Sequence, residues 1–264
     1  MLKRQRKILH LKVREFGKGP TVLLIPGITS TYRYWNSVAD HLKGYKFIIP
    51  DVLGFGGSPK PLRARYSIEE HAHYVQRALK RFHGNEPVIM VGHSFGALVA
   101  LHIAVESPQK VSRLVLSALP MMERETGAAA IAKVADMPKW MVEGKGPYIF
   151  ATLIMIFRYF LSWILPFFFT KWPRGVVADF TRLTPWSFAR TALAQVQSDL
   201  HEYLHELHVP TTIVIAKDDP LTKHVGKYRA AIKANPNVTI LRVNGDHQIP
   251  LNHPELIADT IIRT

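Results

Sequence analysis

The sequence predicts an α/β fold, a doubly wound and mostly parallel sheet with a helical segment inserted between two of its strands. Three observations carry this expectation. Short apolar runs alternate with helical patterns along most of the 264 residues. Those runs are apolar almost without interruption, as strands covered on both faces are. One stretch, 121–207, breaks the alternation and holds no strand pattern.

Taken in order, Ile8, His10 and Lys12 alternate with Leu9, Leu11 and Val13, which reads as a first strand. Strands are then expected at Thr21–Gly27, Tyr45–Asp51, Pro87–Ser94, Val111–Ala118, Pro210–Asp219 and Val238–Gly245, each run ending in turn residues. Helical patterns fall between them at Tyr34–Leu42, Ser67–Phe82, Ala97–Glu106, Lys223–Ala234 and Pro254–Ile262. Ser67 followed by Glu70 makes a capping box for the second of these helices. In such a sheet, ligands bind at the carboxyl ends of the strands. Pro120, Pro138, Pro147, Pro166, Pro173 and Pro185 divide the 121–207 stretch into several helices. The expected organisation is a core from 1–120 and 208–264, with 121–207 as a cap.

Composition narrows the function classes. The chain is 47% hydrophobic and 20% charged, which suits a packed core and argues against disorder. It has no cysteine, so disulfides, thiolate catalysis and cysteine-based metal sites are excluded. The net charge of +14 favours anionic partners such as phospholipid surfaces or acyl-carrier proteins. The basic residues are spread along the chain, with no zinc-finger spacing or RNA-binding aromatic motif, so nucleic acid is not an expected partner. No apolar segment follows the basic "MLKRQRK", so no export signal is read and a cytoplasmic location is expected.

The reactive centre is sought in "VGHSFGALVA". A strand ends in Gly92-His93-Ser94-Phe95-Gly96 and a helix follows at once, the context that G-x-S-x-G requires of a nucleophile elbow. The turn is so sharp that side chains at the glycine positions would strike the neighbouring strand and helix. It also holds the serine in an unfavourable backbone conformation. A serine hydroxyl needs a base, and the base needs a carboxylate to orient it. His247 follows the last strand, and Asp218 and Asp219 follow the strand before it, so both turns are expected at the carboxyl edge near Ser94. His93 inside the elbow and His253 before Pro254 are weaker candidates for the base. His201 and His205 share a helix face, but no third ligand accompanies them, so a solvated face is expected.

With these motifs the chain resembles the α/β-hydrolase superfamily of esterases, lipases, C–C hydrolases and dehalogenases. The resemblance covers about Ile8–Pro120 and Leu207–Arg263. "PGITSTYRYW" is similar to the family's oxyanion loop, "DVLGFGGSPKP" to its D-x-x-G-x-G-x-S loop, and "GDHQIPLNHPE" to its histidine loop. It implies Ser94 as nucleophile, His247 as base and Asp219 as the acid, with Asp218 as the alternative. It also implies an oxyanion hole from the backbone N–H groups of Ile28 and Phe95. Each such donor is worth roughly 3 kcal/mol in the transition state. Pro26 stands where the family usually has histidine. Asp51, Gly54 and Gly56 are read as a structural turn. Serine at position 94 favours acyl-serine chemistry over the aspartate chemistry of dehalogenases.

The implied function is hydrolysis of carboxylic esters with an apolar acyl or alkyl group, without cofactor or metal. A thioesterase or C–C hydrolase is the alternative among enzymes, and a ligand receptor on the same scaffold is the alternative outside them. Substrate choice is expected to lie in the insertion. Its apolar run Tyr148–Phe169 is long enough to span a bilayer. A single crossing would put Ser94 and His247 on opposite sides of the membrane, so two compatible roles remain. One is the inner face of a cap over Ser94, lining a deep apolar pocket. The other is peripheral contact with an anionic membrane surface, where Lys139, Lys145, Lys171 and Arg174 meet headgroups.

Overall fold

The computed structural model describes residues 9–122, 127–134, 144–168 and 173–263. Seven strands form one sheet: β1 (Val13–Gly17), β2 (Thr21–Ile25), β3 (Lys46–Pro50), β4 (Val88–His93), β5 (Val111–Ser117), β6 (Thr211–Ala216) and β7 (Val238–Val243). Their order is β1-β3-β2-β4-β5-β6-β7. β1 runs antiparallel to β3, and every other pairing is parallel.

Side chains along each strand alternate between two apolar layers, the period of two that a pleated strand imposes. Leu23, Ile25, Met90, Leu114, Leu116, Ile213 and Ile215 face one layer, which α2 (Ile68–Phe82), α3 (Phe95–Glu106) and α9 (Arg229–Ala234) help to cover. Val22, Leu24, Val91, Val115, Val214 and Ala216 face the other, with α1 (Asn36–Asp40) and α11 (Pro254–Arg263). The short α10 (Ile249–Asn252) leads into α11. Both faces are therefore covered, and β2 and β6 are buried at every residue.

Three elements differ from the sequence reading. The first strand begins at Val13, where the expected one ends. The Lys12 backbone is taken up by loop contacts instead: its N–H donates to Ser58 Oγ at 2.8 Å and its carbonyl accepts from Asp51 N–H at 2.8 Å. The Tyr34–Leu42 pattern becomes a 3-10 turn at Tyr32–Trp35 followed by α1. The Lys223–Ala234 pattern divides likewise into a 3-10 segment at Pro220–Tyr228 and then α9. Of the expected capping box only the Ser67 half forms, its side chain accepting from Glu70 N–H at 3.3 Å, while the Glu70 carboxylate accepts from Tyr66 N–H at 2.8 Å.

Between β5 and β6 lie α4 (Gly127–Val134), α5 (Gly146–Phe168), α6 (Arg174–Phe180), α7 (Pro185–Gln197) and α8 (His201–His205), with no strand among the described residues. Pro147 opens α5, Pro173 caps α6 and Pro185 opens α7, positions where a missing N–H costs nothing. Pro138 lies outside the described residues. α6 and α7 pack on α5, while α8 packs against α3 and α9.

Candidate active site

The elbow forms where β4 meets α3. Ser94 sits there at φ 53° and ψ −122°, outside the regions open to most side chains. Close approach accounts for both flanking glycines. A Cβ on Gly92 would lie 2.4 Å from the Gly96 carbonyl oxygen and 2.6 Å from Ala97 Cα. One on Gly96 would lie 2.3 Å and 2.6 Å from the carbonyl oxygens of Ile25 and Pro26 at the end of β2. The chain can therefore turn from strand to helix only with glycine on either side. Ser94 N–H donates to the Ser117 carbonyl of β5 at 3.0 Å, fixing the elbow to the neighbouring strand. The hydroxyl makes no hydrogen bond among the described residues, and Ser94 is only 4% exposed.

Asp219 and His247 come together from the turns after β6 and β7. His247 Nδ1–H donates to Asp219 Oδ2 at 3.0 Å, and Asp219 Oδ1 accepts from Leu221 N–H at 2.9 Å. The tautomer follows from the partner, because a carboxylate only accepts. It leaves the Nε2 lone pair of His247 to take a proton. Asp219 is buried, whereas Asp218 is exposed and is tied by its own N–H to the Gly245 carbonyl at 3.0 Å. The carboxylate beside the imidazole is thus Asp219. His253 stands elsewhere, half-exposed and 3.6 Å from Glu255.

His247 lies beside the elbow, its ring 4.9 Å from that of His93 between centroids. His93 is stacked on Tyr34 at 4.8 Å. Tyr34 Oη donates to Gln248 Oε1 at 2.8 Å, and so accepts from His93 Nε2–H at 2.9 Å. Burial first, and the neighbouring His247 second, hold His93 well below the usual histidine range, so it stays neutral. This chain of Gln248, Tyr34 and His93 buttresses the elbow and was not legible in the sequence. Its members are far apart along the chain and form no motif.

The loop after β2 approaches the serine from the other side. A Cβ on Gly27 would lie 3.3 Å from Ser94 Cβ. The N–H groups of Ile28 and Phe95 donate to no protein acceptor among the described residues, which leaves both available to a developing oxyanion. Thr29 next in line has φ 66°, a costly left-handed conformation for a β-branched residue. Its hydroxyl donates to the Ile28 carbonyl at 2.6 Å, turning that peptide.

Two further anchors hold this loop. Asp51 accepts from Tyr32 N–H at 3.0 Å and from Gly57 N–H at 2.8 Å, as expected of a structural turn. Burial raises its carboxyl above the usual range, and those two N–H bonds oppose the rise. The second anchor comes from the cap. Asp179 of α6 is buried and accepts from the Thr31 hydroxyl, while both its oxygens take Arg33 Nη1–H at 2.8 and 2.9 Å. A second cap contact reaches Phe95 through His71. That ring packs edge-on against Phe95 at 4.8 Å and meets Thr191 Oγ1 of α7 at 3.3 Å. Burial alone pushes His71 down to about 3.

The His201 ring packs on Tyr228 at 4.6 Å and His205 is exposed. Lys139 and Lys171 lie outside the described residues. Lys145 and Arg174 are exposed at the ends of α5 and α6.

The family model described as alpha/beta hydrolase fold matches residues 20–254. Among curated proteins, the chain is 40% identical over 111 residues to lipase LipV of Mycobacterium tuberculosis, a match covering 41% of each chain. It is 34% identical over 111 residues to the probable lysophospholipase BODYGUARD 1 of Arabidopsis thaliana, covering 38% of this chain and 22% of the relative. The chain thus spans less than half the length of these relatives. Among solved structures, an E-2-(acetamidomethylene)succinate hydrolase superposes with a TM-score of 0.74 at 23% identity, covering 95% of this chain and 93% of the other. An esterase from Exiguobacterium antarcticum superposes with a TM-score of 0.72 at 17% identity, covering 96% and 94%. At these identities the likeness speaks for the fold.

Proposed function

The chain belongs to the α/β-hydrolase fold family, and from that premise we propose that it is a serine hydrolase acting on carboxylic esters with an apolar acyl or alkyl group. The observation that carries this reading is the His247–Asp219 pair beside a strained Ser94, with the two free amides of Ile28 and Phe95 next to it.

In this mechanism the Ser94 hydroxyl attacks the ester carbonyl carbon and His247 Nε2 takes its proton. Asp219 keeps the imidazole in the right tautomer and stabilises the imidazolium. The amides of Ile28 and Phe95 hold the negative oxygen of the tetrahedral intermediate. Collapse breaks the ester C–O bond, and His247 passes the proton to the departing alcohol. Water then attacks the acyl-serine, giving its proton to His247, and the acid leaves as Ser94 recovers its proton. The Pro26 substitution is compatible with this, since the Ile28 donor is backbone and its loop is held by Asp51 and Asp179. The lipase and lysophospholipase names of the relatives agree with an apolar substrate.

The test is hydrolysis of p-nitrophenyl esters of increasing chain length, with organophosphonate labelling of the intact protein. Ser94→Ala is expected to abolish labelling and to lower kcat by about 10⁶, the scale for losing a nucleophile. Undiminished turnover in that variant would sink the mechanism. A labelled serine with no ester turned over would instead favour the receptor reading.

A further inference from the structure

α5 is apolar on two opposite sides. Pro147, Ala151 and Ile154 are buried against the cap, and Phe150 packs on Phe180 and Phe188 at 6.2 and 5.7 Å. Opposite them run Ile149, Leu153, Ile156, Phe160, Trp163 and Phe167, spaced four, three, four, three and four residues apart and all exposed. At 1.5 Å per residue this stripe is about 27 Å long. Tyr148 and Tyr159 flank it on one side and Phe157 and Phe168 on the other, all exposed, so the apolar arc is about 200° wide. Only 11% of the helix's most apolar stretch is buried, which sets it apart from a core helix. A cap helix serving only to line a pocket would turn these side chains inward.

The sheet decides how such a helix meets a bilayer. β5 precedes α5 in the chain and β6 follows it, and the two are adjacent and hydrogen-bonded. Both ends of α5 therefore return to one body, and the helix lies along a membrane rather than across it. Its charge fits an anionic surface. α5 contains no acidic residue, and its one charged side chain, Arg158, sits off the stripe with its guanidinium 4.7 Å from the centre of the Tyr159 ring. Lys145 just before α5 and Arg174 at the start of α6 are exposed as well, and the whole chain carries a net charge of +14. A second copy of the chain fits less well: a coiled-coil seam is narrow and flanked by charges, whereas this one is flanked by aromatics and contains Pro166.

We propose that α5 is a docking helix that lies in the surface of an anionic phospholipid membrane, its stripe from Ile149 to Phe167 in the acyl boundary and the exposed Lys145, Arg158 and Arg174 at the headgroups. This does not rest on ester hydrolysis.

The test is co-sedimentation of the full chain with vesicles of phosphatidylcholine, with and without phosphatidylglycerol. The expected result is binding that strengthens with phosphatidylglycerol, weakens in high salt, and falls about a hundredfold in Phe160→Glu/Trp163→Glu, the effect of roughly 3 kcal/mol. Both substituted residues are exposed, so the melting temperature is expected to hold, and Ser94→Ala is expected to bind as the parent does. Absence of binding to either vesicle, or unchanged binding in the double variant, overturns the proposal. Equal binding to both compositions overturns the anionic assignment. A concentration-dependent dimer that the double variant dissolves, without vesicle binding, assigns the stripe to a second copy instead.

Discussion

The elbow at Ser94 and the helix α5 are both read from apolar sequence, yet the fold uses them in opposite ways. At the elbow, backbone meets backbone at distances that exclude even a methyl group, so each residue has one solution. Along the outer side of α5 the largest side chains are left exposed, with Tyr159 and Phe168 about three-quarters exposed. The first region is over-determined by the protein, and the second, under our proposal, is completed by a membrane surface. Substitutions at the elbow should therefore act on folding and chemistry, and those on the outer side of α5 on association alone.

The largest effect expected from this contrast is at Gly96. Gly96→Ala drives its Cβ into two carbonyl oxygens of the central sheet and is expected to cost about 3 kcal/mol or more in urea unfolding. A variant as stable as the parent would show that the elbow has slack the structure does not suggest. On the chemistry of the same region, Asp219→Asn is expected to lower kcat by about 10⁴ with the fold intact, while Asp218→Asn leaves it unchanged. Steady-state ester kinetics on the two variants decide which carboxylate orients His247.

The contact between α6 and the loop beside the elbow comes next. Asp179→Ala strands the Thr31 hydroxyl and leaves Arg33, itself a third exposed, without its carboxylate. About 2 kcal/mol of stability should be lost, with a lower kcat as the Ile28 loop loosens. Thermal melts and kinetics on Asp179→Ala and Asp179→Asn measure both, since asparagine can still accept from Thr31.

His71 offers a pH-dependent version of the same contact. Its folded value is about 3 against an ordinary 6.5, so below neutrality the unfolded chain binds the extra proton. Stability therefore falls as pH drops from about 6.5 towards 3, by up to about 1.4 kcal/mol per pH unit from this group. His71→Phe should flatten the acid limb of the melting-temperature profile by that share, while buried His93 keeps its own contribution. The smallest effect belongs to α5: Phe160→Glu should move stability by less than about 0.5 kcal/mol. A large loss there would make the stripe part of the folded core after all.

How far the sequence reached follows from the range of the forces involved. Strand and helix periodicities are local, and six of the seven strands fall inside the runs that predict them. The first strand does not, because the Lys12 N–H is taken up by the Ser58 hydroxyl, a residue distant in sequence. The elbow was legible because its glycines and serine lie within five residues of one another, and the histidine and acid turns because each ends a strand. The buttress of Tyr34, His93 and Gln248 and the anchor at Asp179 were not. Their members meet only after the sheet and cap are assembled.

By itself the sequence determined an α/β sheet, a serine on a sharp strand-to-helix turn, and an apolar insertion too long to be incidental. Those are properties of neighbouring residues, set by side-chain period, backbone freedom and hydrophobicity. Only the tertiary structure decided that Asp219 and not Asp218 stands against His247, since the two carboxylates differ in direction rather than in charge. Only it decided that α5 turns most of its large side chains outward. Hydrophobicity favours removing such residues from water, yet among the described residues these side chains stay exposed.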